Sequence, residues 1–414
     1  MKKRIIAALL TMAILPLQAQ RKWTLDDCVN YAMQHNITLQ KARLQLQSSA
    51  EDVKGQKGAL LPTLSASTNQ SVGYRPWQDS GIATVTNGQV NSKVDKTYYN
   101  GSYNLNAQWT VWNGGRNRNN VRQSQLTEQQ AELNVAEQAN SIEERICQLF
   151  VQCLYLNEAV KVSQASLETS KKNEQRGEEM VEVGMMSKAD LAQLSAQRAN
   201  DDFDIAIPET TDEQALAAIP SLQATYEQAL ATRPEMERGR LSIESSKVSL
   251  AIAKAGWLPT LSLSGGLSTS TNSLSNNNWG NQMKANVNMA GGLSLNIPIF
   301  DGRQTKTNVA KARIQQQQAL LDLQDQQKQL YQTIEGYWLD ATTNQQRLKA
   351  AKASVESQQS SYELLQEQFN VGLKNIIELM NGKNSLLQAQ QNQLQAKYLT
   401  LLNMQLLRFY SGKD

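Results

Sequence analysis

Leu60-Leu61-Pro62-Thr63-Leu64-Ser65-Ala66-Ser67 and Trp257-Leu258-Pro259-Thr260-Leu261-Ser262-Leu263-Ser264 are one stretch written twice, identical at six of eight positions and 197 residues apart. Upstream, Leu44 to Ser49 (LQLQSS) lies over Leu241 to Ser246 (LSIESS) in the same register. Downstream, Trp112-Asn113-Gly114 lies over Phe300-Asp301-Gly302, and Val183-Gly184 over Val371-Gly372, both 188 apart. The chain is therefore two copies of a unit of about 190 residues, too long for a solenoid repeat and long enough to hold its own strands and helices. The first copy carries nine extra residues between its LPT and its Trp-Asn-Gly, in a polar stretch expected to be a loop.

The N-terminus Met1-Lys2-Lys3-Arg4, the apolar run from Ile5 to Leu17 and the small Ala19 read as a secretory leader over residues 1–19. The run is shorter than the ~18 residues that would anchor it in a bilayer. Removing its three cations takes the formal net charge from +3 to zero, which leaves no basic footprint for nucleic acid. Mean hydropathy is −0.51 and no later run could form a membrane helix, so any membrane role falls to strands. Cys28, Cys147, Cys153 and the single His35 form no ligand or nucleophile constellation, and the three thiols are expected to be buried rather than bridged. No cofactor, metal or catalytic site follows, and the chain reads as not an enzyme.

From Tyr99 the odd positions run Tyr, Gly, Tyr, Leu, Ala, Trp, Val to Val111, and the even ones are Asn, Ser, Asn, Asn, Gln, Thr. The second copy repeats this from Ala285 to Ile299. The period of two predicts strands. Neither run carries a charge, whereas the wet face of a soluble sheet normally carries Lys or Glu. Apolar residues alternating with Ser and Asn suit a strand with lipid on one side and a water-filled lumen on the other. In that reading Tyr98, Tyr99, Trp109, Trp112 and Phe300 are interfacial aromatics; a strand of a soluble sandwich is the alternative. With the LPT strands this makes four strands per chain, which cannot close alone, and an open edge cannot sit in lipid. Strands ~4.8 Å apart and tilted ~40° give a diameter of ~16 Å for two chains, which side chains would plug, and ~24 Å for three, which leaves a pore.

Helical patterns run from about Gly115 to Val183 and from Arg303 to Val371, each ~105 Å at 1.5 Å per residue. Val135, Ala139, Ile142, Ile146, Leu149, Cys153, Leu156 and Val160 are spaced alternately by four and three, a heptad seam. Leu323, Leu330, Ile334, Tyr337, Ala341, Leu348, Ala351 and Val355 continue it in the second rod. Each rod ends in matched turns, Val183-Gly184-Met185 and Val371-Gly372-Leu373, with Gly at the left-handed stop. Ser187 with Asp190, and Asn375 with Glu378, then cap the returning helices. At the N-terminus Thr24 to Asp27 is another capping box, and Pro234 suits a helix first turn.

The ordered duplication of leader, LPT strand, Trp-Asn-Gly or Phe-Asp-Gly and Val-Gly tip resembles the TolC-like outer-membrane efflux family over essentially the whole mature chain. The resemblance implies a mainly α fold with transmembrane β: a homotrimer whose strand hairpins make a 12-stranded β-barrel and whose coiled-coil helices make a periplasmic α-helical barrel. It implies a passive outer-membrane channel serving efflux or type I secretion, with outer-membrane lipid around it. Val183, Gly184, Met185, Val371, Gly372 and Leu373 match the tips that dock a periplasmic adaptor protein and its inner-membrane transporter. Lys374 matches a basic latch at the closed mouth, Asp190 its acidic partner, and Glu378 an acidic ring. Asn381 stands where a second acid is often found, and Phe369 where a Tyr hydroxyl can join the latch, so a weaker lock is implied. The expected divisions are a leader at 1–19, a first repeat at 20–204, a linker at 205–220 and a second repeat at 221–414. Pro208 lies only 24 residues past Gly184, so the first returning helix reads as truncated. A periplasmic coiled-coil scaffold or adhesin without a pore is the rival, and uncharged alternating strands argue against it.

Overall fold

A computed structural model describes residues 23–77, 82–86, 89–93, 96–200, 212–275 and 277–412. The leader and residues 205–211 of the linker, Pro208 among them, lie outside the described residues. The chain divides into two compact units, one of residues 1–41, 136–234 and 327–414, the other of residues 42–135 and 235–326. Each unit thus draws segments from both sequence copies.

In chain order the elements are α1 (Leu25–His35), α2 (Ile37–Gly58), β1 (Thr63–Tyr74), β2 (Ile82–Thr86), β3 (Gln89–Lys93), β4 (Thr97–Trp112), α3 (Arg116–Glu182), α4 (Lys188–Asn200), α5 (Asp212–Ala215), α6 (Leu222–Thr232) and α7 (Pro234–Lys254). A short 3-10 turn (Ala255–Trp257) leads to β5 (Thr260–Asn272), α8 (Trp279–Ala285), β6 (Asn288–Asn296), α9 (Gln304–Asn370) and α10 (Ile376–Tyr410). Thr24 caps α1 as its sequence demands, with its hydroxyl accepting from Asp27 N at 3.1 Å and the Asp27 carboxylate accepting from Thr24 N at 3.1 Å.

The unit of residues 42–135 and 235–326 holds a four-stranded antiparallel sheet in the order β1-β4-β5-β6. Its register puts one chemistry on each face. Ala66, Leu105, Leu267 and Met289 form one row, and Trp109, Leu263 and Leu293 another, on the apolar face. On the opposite face Ser67, Asn104 and Ser268 line up, beside Asn69, Ser102 and Ser270. Among the described residues much of the apolar face is bare, with Leu64 and Val72 each 70% exposed, Leu293 68% and Met289 76%, while α8 lies over the part at Tyr103 and Thr269. The outer strands β1 and β6 each have one hydrogen-bonded neighbour in this sheet.

The loops depart from the sequence reading. The stretch between β1 and β4, expected to be a plain loop, carries the antiparallel pair β2–β3. β6 is shorter than its alternation, because Ala285 ends α8 and Ile297 and Ile299 lie past the last paired residue. Asn278 opens α8 by accepting from Asn281 N at 2.8 Å, and this local cap outweighs the period of two. At both strand-to-helix junctions one carboxamide or carboxylate caps the rod, as Asn113 Oδ1 accepts from Asn117 N at 3.1 Å and Asp301 Oδ2 from Thr305 N at 2.8 Å. Rods and shorter helices then lock by polar contacts, with Gln123 bonded to Ser245 and, at 3.2 Å, to Ser249.

In the other unit the seam of α9 is buried as its spacing demands, with Ile334 and Ala341 at 0% exposure and Leu348 at 1%. The seam assigned to α3 is corrected by the structure. Val160 is buried, but Leu149, Cys153 and Leu156 are exposed, so Cys153 is not a buried thiol. The neighbouring stripe of Cys147, Phe150, Val151 and Leu154 turns toward α1 and α10 instead. α5, within the linker, docks by burying Ala215 completely against Leu348 and Ala396. Lys397 on α10 is buried between Asp212 at 3.3 Å and Glu158 at 3.5 Å, so the charge is compensated on two sides. Tyr337 donates to Glu144 at 2.6 Å, and burial followed by this bond pushes its phenol above the ordinary range. Among the described residues no helix is long and apolar enough to cross a membrane, and no group of His, Cys and acids could hold a metal.

Candidate functional site

The two rods end side by side. Gly184 has φ +76° and Gly372 φ +77°, and a Cβ on Gly372 would meet only Met185 Cε, at 3.9 Å. Met185 N bonds back to Met180 O at 2.8 Å with Gly184 N to Val181 O at 3.1 Å. Leu373 N bonds to Gln368 O at 2.8 Å with Gly372 N to Phe369 O at 3.0 Å. Both ends are Schellman motifs, in which the left-handed residue lets two orphan carbonyls find donors.

The returning helices start on the predicted caps. The Ser187 hydroxyl accepts from Asp190 N at 3.1 Å and donates to Asp190 Oδ2 at 2.8 Å. Asn375 Oδ1 accepts from Glu378 N at 3.0 Å, and Glu378 Oε2 from Asn375 N at 3.3 Å. α4 is described for 13 residues against 35 for α10.

Under the turns lies an apolar cluster of Met180, Leu194, Tyr362, Phe369, Ile376, Leu379 and Leu386. Phe369, read from sequence as a latch position lacking its hydroxyl, is 3% exposed in this core. Lys383 reaches across to α3 as well, donating to Ser166 O at 2.9 Å and to the Ser170 hydroxyl. What the cluster leaves outside is itself apolar: Val183, Met185, Val371 and Leu373 are all more than 60% exposed. Ile377, 55% exposed, joins this surface and was missed by sequence reasoning. Its signal was the pair Ile376-Ile377, since adjacent helical residues cannot both face one core.

The charged groups fall as follows. Lys374 Nζ lies 2.6 Å from Glu378 Oε1, so in a single chain this cation rests on the acid of its own tip, while Asp190 is held by Ser187. Asn381 is exposed one turn beyond Glu378. The Lys374 ammonium and then the Asn375 N–H hold the Glu378 carboxyl below its usual range. A depressed carboxylate stabilises its fold above the unfolded value, and the stabilisation fades as pH falls through the folded one. Amide protection at Asn375 and Glu378 is therefore expected to drop below about pH 4. Glu378→Gln should show no such step; a step of equal size in that variant would assign it to another group.

The aromatics of the sheet divide. Tyr99 and Trp109 lie on the apolar face, and a bulge between Thr110 and Trp112 brings Trp112 back to it opposite Leu261. Phe300, past β6, is 89% exposed. Tyr98 lies on the polar face opposite Gly73, under the Arg75 guanidinium at 4.4 Å. From Tyr99 to Trp109 is ten residues, ~34 Å of strand, or ~26 Å across a bilayer at ~40° tilt, which matches the apolar band of a membrane barrel.

The family described as outer membrane efflux protein matches the chain twice, over residues 28–219 and 225–413. Outer membrane efflux protein BepC of Brucella suis biovar 1 (strain 1330) is 22% identical over 421 residues, 96% of this chain and 87% of that protein. Alkaline protease secretion protein AprF of Pseudomonas aeruginosa is 22% identical over 387 residues, 86% of this chain and 77% of that one. The fold matches the crystal structure of the outer membrane protein VceC from Vibrio cholerae with a TM-score of 0.75 at 15% identity, covering 94% of this chain and 96% of that chain. Two family matches that between them take in almost the whole chain, on a fold with an uncharged two-faced sheet, decide its membership: the protein belongs to the outer membrane efflux protein family and is an efflux channel of the outer membrane.

Proposed function

We propose that three copies close their sheets into one 12-stranded barrel, with Ser and Asn inward and the Leu, Met and Trp rows toward lipid. The observation that carries this is the sheet itself, with exposed apolar rows and with outer strands β1 and β6 that each pair on one side only among the described residues. Unpaired strand edges in hydrocarbon are too costly to persist, and closure removes them. Leu149, Cys153 and Leu156 on α3, exposed in the single chain, form the seam along which neighbouring rods pack. Helical tips carrying Val183, Met185, Val371 and Leu373 dock a periplasmic adaptor, which links the conduit to an inner-membrane transporter. The conduit is passive, without catalysis. One relative is named for efflux and another for protease secretion, in keeping with a conduit whose cargo is chosen by the transporter. Native mass measurement of detergent-extracted protein should show three copies, and planar bilayers should show discrete conductance steps. A stable water-soluble monomer would overturn the reading.

The resting mouth is closed by Lys374, Asp190 and Glu378, with Lys374 exchanging between Glu378 of its own chain and Asp190 of a neighbouring copy. An exposed pair is worth under ~1 kcal/mol, but threefold repetition multiplies it. Lys374→Ala, or Asp190→Asn, which keeps an oxygen for Ser187, should raise resting conductance modestly. Glu378→Ala should lower cation preference, since three carboxylates about an axis act as a cation ring. Unchanged conductance and selectivity across the three would move the constriction to apolar side chains such as Ile377.

A further inference from the structure

The loop between β5 and β6 folds back onto the apolar face of the sheet and builds a groove there. The Thr269 hydroxyl donates to Met283 O at 2.9 Å, and Trp279 Nε1 donates to the Tyr103 hydroxyl at 3.3 Å with the rings edge to face. Gln282, 7% exposed, accepts from Asn272 N at 2.7 Å and donates to Asn272 O at 3.1 Å, while Asn286 donates to Ser270 O at 2.7 Å. These bonds satisfy β5 backbone groups beyond Ser268, the last β5 residue paired with β6. α8 is thereby fixed over the sheet. Between them lies a groove of about 660 Å³, walled by Ala66, Leu105, Leu267, Met283, Val287 and Met289. No charged side chain lines it.

Beside the groove, next to Met283, stands Lys284, exposed and the single charged residue between Trp257 and Phe300. A cation on a lipid-facing surface is costly at the bilayer midplane and tolerated near the headgroups. Trp279, with a polar edge and an apolar ring, suits the same level. The groove runs from the Leu105 row at mid-sheet toward the end of the sheet away from the rods, where Gln282 of α8 meets Asn272. We propose that it is a lipid site of the outer leaflet: one acyl chain lies between α8 and the sheet, and Lys284 binds the phosphate of that lipid. The inference rests on the apolar face meeting the bilayer and deepens that reading by naming a retained ligand.

The test uses the full detergent-extracted protein, stripped of lipid and offered either monophosphoryl lipid A or a diacylglycerol, with retention read by native mass spectrometry. Wild type should keep up to one phosphate-bearing lipid per chain and hold it several-fold better than diacylglycerol. Lys284→Glu should bring the phosphate-bearing lipid down to the diacylglycerol level, Lys284→Arg should restore it, and Val287→Trp, which fills the groove, should lower both. Equal retention by wild type, Lys284→Glu and Val287→Trp would overturn the site. Failure of the parent reading looks different, because the wild-type protein would then leave membranes without detergent.

Discussion

Arginine in place of Leu105 is expected to abolish assembly of the channel, whereas arginine at the adjacent Asn106 is expected to leave assembly intact. Leu105 lies midway between Tyr99 and Trp109, in a row with Ala66, Leu267 and Met289, and is 38% exposed although it sits mid-strand. Arginine on the lipid face at the bilayer midplane costs roughly 2–4 kcal/mol, on the order of 30- to 700-fold per chain, and falls toward zero near the interfaces. In a trimer the penalty recurs three times. Asn106 shares its strand and depth but faces the other way, beside Ser65 and Gly266. In the proposed barrel arginine there enters a wet lumen, where it should only weaken cation passage. The heat-resistant oligomer recovered from membranes and single-channel selectivity read the two outcomes. Equal loss of oligomer in both variants would mean that the faces do not differ in solvent, and the membrane reading would go with it.

How far such faces were legible beforehand depends on how local their cause is. The strand alternation, the caps at Thr24, Ser187 and Asn375, and the tip glycines each follow from a residue and its neighbours within one turn. Each stands where its residue type requires. By count Trp112 continues the even, polar positions, and a bulge that no composition announces returns it to the apolar face. Tyr98 was grouped with the interfacial aromatics by type, yet register places it under Arg75 on the polar face. α8 lies in polar sequence without a period, so propensity had nothing to read there, whereas the β-branched run from Ile82 to Thr86 that forms β2 was passed over.

The rods show a different limit. Their low amphipathicity offers two stripes, and choosing between them depends on α1 and α10, distant in sequence. The heptad reading of α3 picked Leu149, Cys153, Leu156 and Val160; of these four the chain buries Val160, and it turns the stripe of Cys147, Phe150, Val151 and Leu154 toward its own helices. Both stripes have work to do if copies pack together. For Lys374, Asp190 and Glu378 the resemblance named the residues but not the pairing within one chain. Glu378 is four residues after Lys374 and helix geometry brings the two together, whereas Asp190 belongs to the other tip.

Valine at Gly184 or Gly372 is expected to leave the assembled channel standing and to cut export. Space is not the obstacle: a Cβ at Gly184 meets nothing within 4 Å, and at Gly372 only Met185 Cε at 3.9 Å. The obstacle is backbone, since φ near +76° drives a Cβ toward the following carbonyl at a cost of ~1–2 kcal/mol, and a branched side chain sits at the upper end. The cluster of Met180, Phe369 and Ile376 is far too large to be lost for that amount, so the helices stay folded. What yields is the turn, and with it the arrangement of Val183, Met185, Val371 and Leu373. A strain of ~1–2 kcal/mol lowers the docking-competent population roughly 5- to 30-fold, and the apparent affinity for the adaptor falls by the same factor. Asparagine, which tolerates the left-handed region, should cost far less at the same positions. Adaptor binding to the assembled wild-type, valine and asparagine proteins, measured beside export in cells, separates the causes. Loss with valine and retention with asparagine would locate the effect in the turn. Equal loss with both would locate it in the bare glycine surface, and normal export by both valine variants would remove the tips from the docking site.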